Sequence, residues 1–404
     1  MKSTGTQDGK QSSYGYRECI VDGALALVLR ISRCSGVAPL CFTPVETGWR
    51  IAVSPRLAWL QNVFMTVISM VCLTAVFLDF LEDPDERIRI GESAVTAFVW
   101  IADFVLVLAI ASLAVYRGST RMERLIRLLT ELQQIDLDLN NTRCVKTEKK
   151  GILVVTVMVV SILSIQFVEV YLKTQSFIEK DYNWSIMIMY SSYYVANYLG
   201  ILALLQWGFV ALALYRAAAT VNQRLLRLHH EHFAAYPLQL QSMIRRLASS
   251  YGHTGELMRQ MNEINGTIII AILMADFLHL VITPYYLLLN LDSNAGMLLS
   301  VMIPFLWSLM HSATLMLTVE PCHWTQEQRE TTKFLLSRVT VRLAPKSKLL
   351  ARELDQFAKQ IVLANVKFSP LGVLTLGRPL VASVLQGSPS KACNKFLTPL
   401  GGSY

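Results

Sequence analysis

The sequence predicts an all-α polytopic membrane helix bundle: six clear transmembrane helices, an incomplete seventh, and helical extensions on the cytoplasmic side. Three observations predict it. The 404 residues are 53% hydrophobic and only 16% charged, whereas a soluble domain carries about 25% charged residues. Six apolar runs reach the roughly 20 residues needed to cross the hydrocarbon core of a bilayer. Finally, 30 of the 37 Lys and Arg residues fall in alternate segments between those runs.

The runs cover residues 57–80, 94–116, 152–172, 186–215, 267–289 and 297–319. The fourth is longer than a span requires, so it should tilt or project past the membrane. Residues 1–56 read as a flexible cytoplasmic tail of mixed polar composition, and 57–319 as the six-span bundle with cytoplasmic extensions. Residues 320–367 read as cytoplasmic anchor helices and 368–404 as a partial seventh span with an atypical tail. No short apolar run followed by a small-residue cleavage site opens the chain, so no cleavable signal peptide is expected.

The basic residues set the orientation. Segments 1–56, 117–151, 216–266 and 320–367 hold 30 Lys and Arg, the three intervening gaps hold 4, and Arg378, Lys391 and Lys395 follow. Cytoplasmic loops carry the excess of Lys and Arg, so the N-terminus is expected inside a plasma-membrane protein. The net charge of +8 is therefore topology and not a nucleic-acid footprint. The sequon Asn183-Trp184-Ser185 lies in an outer gap and is expected to be glycosylated, while the sequons at Asn140 and Asn265 lie inside. None of the seven cysteines lies in the outer gaps, so reduced thiols are expected.

Outer gaps are too short for an extracellular ligand domain, so a ligand must enter the bundle. The inner segments look helical. Leu125, Ile126, Leu128, Leu129, Leu132 and Ile135 share one face, as do Met243, Ile244 and Leu247 in a stretch, 216–265, that continues span 4. Residues 330–343 and 347–366 repeat the pattern, which favours a packed intracellular region over independent surface helices.

No enzyme motif is present, and no cofactor is called for: there is no Walker A loop, Gly-x-Ser-x-Gly or His-Glu-x-x-His. His229, His230 and His232 sit among Arg224, Arg227 and Glu231, a solvated helix face and not a metal site. Polar groups inside the spans are costly and more informative. Asp103, Glu169 and Asp276 are candidates for a functional role, with His279 on the same helix face as Asp276 and His311 at mid-depth of span 6. Gln166, Gln206 and the single amides read as interhelical hydrogen bonds. The orientation places Tyr190, Tyr193, Tyr194, Asn197 and Tyr198 in the outer half of span 4. Thr283, Tyr285 and Tyr286 lie near the outer end of span 5, Glu169 near that of span 3, and Trp307 in the outer half of span 6. Aromatic rings with a few polar groups suit a small neutral or amphipathic ligand. An interfacial aromatic belt would sit at the same depth, but Tyr194 and Asn197 lie deeper than a belt needs.

Two stretches carry a family resemblance. Glu353-Leu354-Asp355-Gln356-Phe357-Ala358-Lys359-Gln360 followed by Phe368-x-x-x-Gly372-x-x-x-Leu376 resembles the C-terminal region of insect gustatory receptors. Residues 253–270, with Leu257-Met258-Arg259-Gln260-Met261-Asn262, are similar to that family's entry into span 5. The resemblance implies a tetrameric, homomeric or heteromeric, ligand-gated non-selective cation channel for small tastants. It further implies a pocket in the outer half of each subunit, a pore lined by the last span, and cytoplasmic helices that anchor the subunits to one another. The family's closing Thr-Tyr…Gln-Phe pattern is missing: after Gln386 the chain turns to Gly387-Ser388-Pro389-Ser390. Arg378, Pro370 and Pro379 interrupt the run before it, and a central Arg costs about 2.5–3.5 kcal/mol on insertion. A truncated or alternatively spliced pore helix, non-conducting alone, is the expectation. A G-protein-coupled receptor would need an outside N-terminus, and a transporter usually shows internal pseudo-symmetry; neither is found.

Overall fold

The computed structural model describes residues 19–82, 94–139, 145–180, 184–230, 237–290, 297–364 and 366–385. The chain runs β1 (Ile20–Val21), α1 (Gly23–Cys34), β2 (Leu40–Val45), β3 (Gly48–Val53), α2 (Pro55–Leu81), α3 (Ala94–Tyr116), α4 (Gly118–Asp138) and α5 (Val145–Lys180). It continues through α6 (Trp184–His230), α7 (Pro237–Asn290), α8 (Met297–Leu343), α9 (Lys348–Leu363) and α10 (Arg378–Leu385). Six of these helices, α2, α3, α5, α6, α7 and α8, are long and apolar enough to cross a membrane.

Burial separates their roles. A helix that is apolar all round belongs in the middle of a bundle. In α6, 72% of the most apolar window is buried, against 22% in α5 and 28% in α2. Leu199, Leu202, Leu205, Trp207, Ala211 and Leu214 put every face of α6 against neighbours, chiefly α8, α2, α3 and α7. The outer helices instead expose rings and branched chains, among them Phe77 and Trp59 on α2 and Phe167 and Val157 on α5. Such a belt suits lipid and not water.

Three of the long helices run on beyond their apolar sections. The expected inner helices are present and packed: Leu125, Leu128, Leu129, Leu132 and Ile135 of α4 are buried, as are Ile244, Leu247, Leu257 and Met261 of α7. Leu335, Leu336 and Val339 of α8 and Leu350, Leu354, Phe357 and Ile361 of α9 join the same core. The stretch 216–265, read as one continuation of span 4, is divided. The fourth span's helix ends at His230, and Pro237 opens α7, at a position where its missing N–H is harmless.

The N-terminal reading needs correcting. From residue 19 onward the supposed tail is built. Strands β2 and β3 pair antiparallel from Leu40↔Val53 to Val45↔Gly48, and β1 adds through Ile20↔Arg50, giving the order β1-β3-β2. Gly48 closes the hairpin at φ +151, and a Cβ there would meet the Val21 carbonyl at 2.7 Å. Helix α1 buries Ala24, Ala26, Val28 and Leu29 and packs along α5 and α6. Twelve helical residues fall below the length that flags a span, so composition alone reads the segment as mixed.

After α9 the chain turns through Phe368 and Leu376, both fully buried, with the Leu376 N–H donating to the Phe368 carbonyl at 2.8 Å. Gly372, between them, takes φ +71. The Phe-x-x-x-Gly-x-x-x-Leu spacing is thus a closed loop with two apolar anchors, and Phe368 meets Trp207 of α6 edge-on. Arg378 opens α10 and forms a bidentate pair with Glu320 of α8 at 3.0 and 3.2 Å.

Candidate functional site

Five helices bring polar groups together at mid-bundle, toward the end where α5, α6, α7 and α8 meet through short connections. Each is placed by helical periodicity on an inward face. Asp103 of α3 accepts from the Tyr193 hydroxyl of α6 at 2.5 Å. Its other oxygen lies 2.8 Å from Nε2 of His279 on α7. The His279 ring stacks on His311 of α8 at 3.9 Å and 11°. Nδ1 of His311 lies 2.9 Å from Asp276 Oδ1, which also accepts from Thr314 at 2.8 Å. Trp307, one turn from His311 and stacked on it at 5.8 Å, donates to Glu169 of α5 at 2.7 Å. The chain of contacts therefore runs Tyr193, Asp103, His279, His311 and then Asp276 or Trp307, ending at Glu169.

Beside it lies a cavity of about 40 Å³ lined by Asn197, Gly200, Asp276, His279, Trp307 and His311, with apolar walls from Ile110, Ile201 and Met310. Two polar atoms at this lining, Asp276 Oδ2 and His311 Nε2, are buried and have no partner among the described residues. Buried polar groups are normally satisfied, so these two mark where a water or a ligand group belongs. The space holds about three waters; a pocket for a whole organic ligand runs to several hundred Å³, so occupancy requires the helices to part.

The predicted site residues divide. Asp103, Glu169, Asn197, Asp276, His279 and Trp307 meet at this cluster. Tyr194 is buried beside it, edge-on to Tyr193 at 5.6 Å, and its carbonyl accepts from Gln166. Tyr190 belongs to a neighbouring cluster: its hydroxyl donates to Asp79 of α2 at 2.7 Å and its ring meets Trp100 edge-on. Tyr198 packs against the cluster of Ile162, Ile201 and Met310, the last two of them cavity walls, and lies beside Ser35 after α1. Thr283 is buried farther along α7. The Tyr286 side chain and Asn183 lie outside the described residues. Gln166 makes the interhelical bond expected of it, whereas the buried amide of Gln206 has no partner among the described residues. Tyr193, Thr314 and His311 belong to the network, and Asp79 to the neighbouring Tyr190 cluster, without having been singled out as ligand contacts. Thr314 was readable at one turn from His311. Among the described residues no His, Cys, Asp and Glu group could hold a metal ion.

Comparison with known proteins follows from this architecture. A family model described as 7tm Chemosensory receptor matches residues 25–386. The chain is 24% identical to the gustatory receptor for sugar taste 43a of Drosophila melanogaster over 408 residues, covering 88% of this chain and 93% of that protein. Its fold is similar to the insect olfactory receptor OR5 from Machilis hrabei, with a TM-score of 0.62 at 10% identity over 93% of this chain and 96% of that one. The same receptor in complex with eugenol gives 0.59 at 10% identity, over 93% and 97%.

Proposed function

The chain belongs to the 7tm chemosensory receptor family, and from that premise we propose that it is a gustatory receptor, a subunit of a ligand-gated cation channel opened by small tastants. One observation carries the reading. A polar and aromatic cluster from five helices borders a small cavity whose lining keeps two groups, Asp276 Oδ2 and His311 Nε2, without a partner among the described residues. Two tastant hydroxyls suit them: one donates to the carboxylate oxygen, and the other donates to Nε2 of His311, whose Nδ1–H faces Asp276. Asp103, Glu169, Asn197, His279 and Trp307 complete the contact set, with Tyr190, Tyr194, Tyr198, Thr283 and Tyr286 on the approach. The relative named for sugar taste makes sugars the first ligands to test.

The protein sits in the plasma membrane with its N-terminus cytoplasmic, as the distribution of Lys and Arg requires, and assembles as a homo- or hetero-tetramer. Residues 368–404 carry Arg378, Lys391, Lys395 and four prolines, a composition unsuited to a pore helix, so this 404-residue form carries no current alone. The test is electrophysiology in cells expressing the chain with and without companion gustatory subunits. A sugar-evoked cation current should appear only with a companion, and Asp276→Asn should raise the sugar concentration for half-response at least tenfold. Sugar uptake without current would make the protein a transporter and sink the proposal.

A further inference from the structure

A buried cation at the other end of the bundle has no counter-charge among the described residues. Arg121 lies in the first turns of α4, just past Tyr116, where the apolar run of α3 stops. The residue is 4% exposed. Among the described residues its guanidinium makes one long hydrogen bond, to the Val37 carbonyl at 3.4 Å, and its Nε has no partner. Burial brings its pKa down to about 10, so it remains a cation at neutral pH. Buried charges are costly unless paired.

The segment that Arg121 touches also covers a second buried polar group: Ser32 of α1 is fully buried and its hydroxyl has no partner among the described residues. The Ser32 carbonyl accepts from both Val37 and Ala38, so the segment that Arg121 touches is the one that folds over Ser32. Gly118, the first residue of α4, faces the same Val37 carbonyl and Pro39. The helix start has neither a side-chain cap nor an acidic residue in its first turn. Arg33, Arg117 and Arg124 are exposed around it. The Arg121 guanidinium and the start of α4 thus lie against the segment that folds over Ser32, with the Val37 carbonyl as the guanidinium's one acceptor among the described residues.

We infer that this corner between α1, residues 35–39 and α4 binds a phosphate-type oxyanion, carried by an anionic phospholipid of the adjacent leaflet. Helix N-termini and the guanidinium fork both favour phosphate oxygens. The end of the apolar run of α3 sets the site at headgroup depth, and basic segments at that depth attract anionic lipid.

The full chain in nanodiscs tests this. With phosphatidylserine added to phosphatidylcholine, native mass spectrometry should show a retained anionic lipid, and the unfolding midpoint should rise. Arg121→Met should abolish both effects. In phosphatidylcholine alone it should unfold no lower than the native chain, because an uncompensated charge has gone. Inorganic phosphate added to phosphatidylcholine discs separates the sources: a rise equal to that from phosphatidylserine keeps the oxyanion site but assigns it to free phosphate, refuting the lipid carrier. If Arg121→Met does not fold, Ser32→Ala should cut lipid retention several-fold while Arg352→Met, on α9, leaves it intact. The inference is overturned if native chain and Arg121→Met respond alike to both additions, or if Arg352→Met loses as much lipid as Ser32→Ala.

Discussion

Asp276 and His311 show what one buried contact does in this bundle. The carboxylate holds α8 to α7 through His311 and Thr314, with both members of the His–Asp pair at most one-tenth exposed. Removing one member strands the other, at about 3 kcal/mol, so Asp276→Ala and His311→Ala should each destabilise the protein by that order. The double variant should lose less than the sum by about 1–3 kcal/mol, measured as a double-mutant cycle on unfolding in nanodiscs; additive losses would mean the pair is not coupled. Asp103, Glu169, Asp276 and His279 were legible in the sequence because a charge inside a span is costly. Tyr193 stands with the other tyrosines in the outer half of α6 but nothing in the sequence separates it from them, and Thr314, a hydroxyl that costs little in lipid, raises no flag. The neighbourhood of Tyr198 and Ser35 was not legible, because depth along α6 does not reveal which face α1 covers.

At the scale of elements, close approach decides which helices pair. A Cβ on Gly200 of α6 would lie 2.9 Å from the Ile110 side chain of α3. Gly200→Ala should therefore cost about 1–3 kcal/mol through overpacking, and Ile110→Ala should recover part of it when the two are combined and melted together. The docking of α9 on α7 depends on Glu353, which accepts from Arg245 and Gln241. Those hydrogen bonds hold its carboxyl below the usual 4.5, so the stabilisation is present above pH 4.5 and lost as pH falls through the lowered value. Hydrogen exchange in α9 should accelerate below pH 4.5 in the native chain and show no such step in Glu353→Gln. Helix type and extent were legible because apolar periodicity persists over many turns; α3 runs from Ala94 to Tyr116, as its apolar run predicts. The three short strands were not, since β1 has two residues and pairs across the intervening α1, a contact no local pattern encodes.

For the whole molecule, the separation of basic from uncharged connections makes topology testable. An epitope tag at residue 2 should stain only after permeabilisation, and Asn183→Gln should remove a glycosidase-sensitive gel shift. Staining of intact cells would reverse the orientation. The packing of α1 has a consequence in time. Ala24 rests against Gly151 of α5 and near Phe209 of α6, residues that leave the ribosome long after it. At roughly 5–20 residues per second, the roughly 130 residues separating Ala24 from Gly151 delay that contact by on the order of ten seconds. During synthesis the apolar face of α1 must therefore wait for its berth while α2, α3 and α4 are translated.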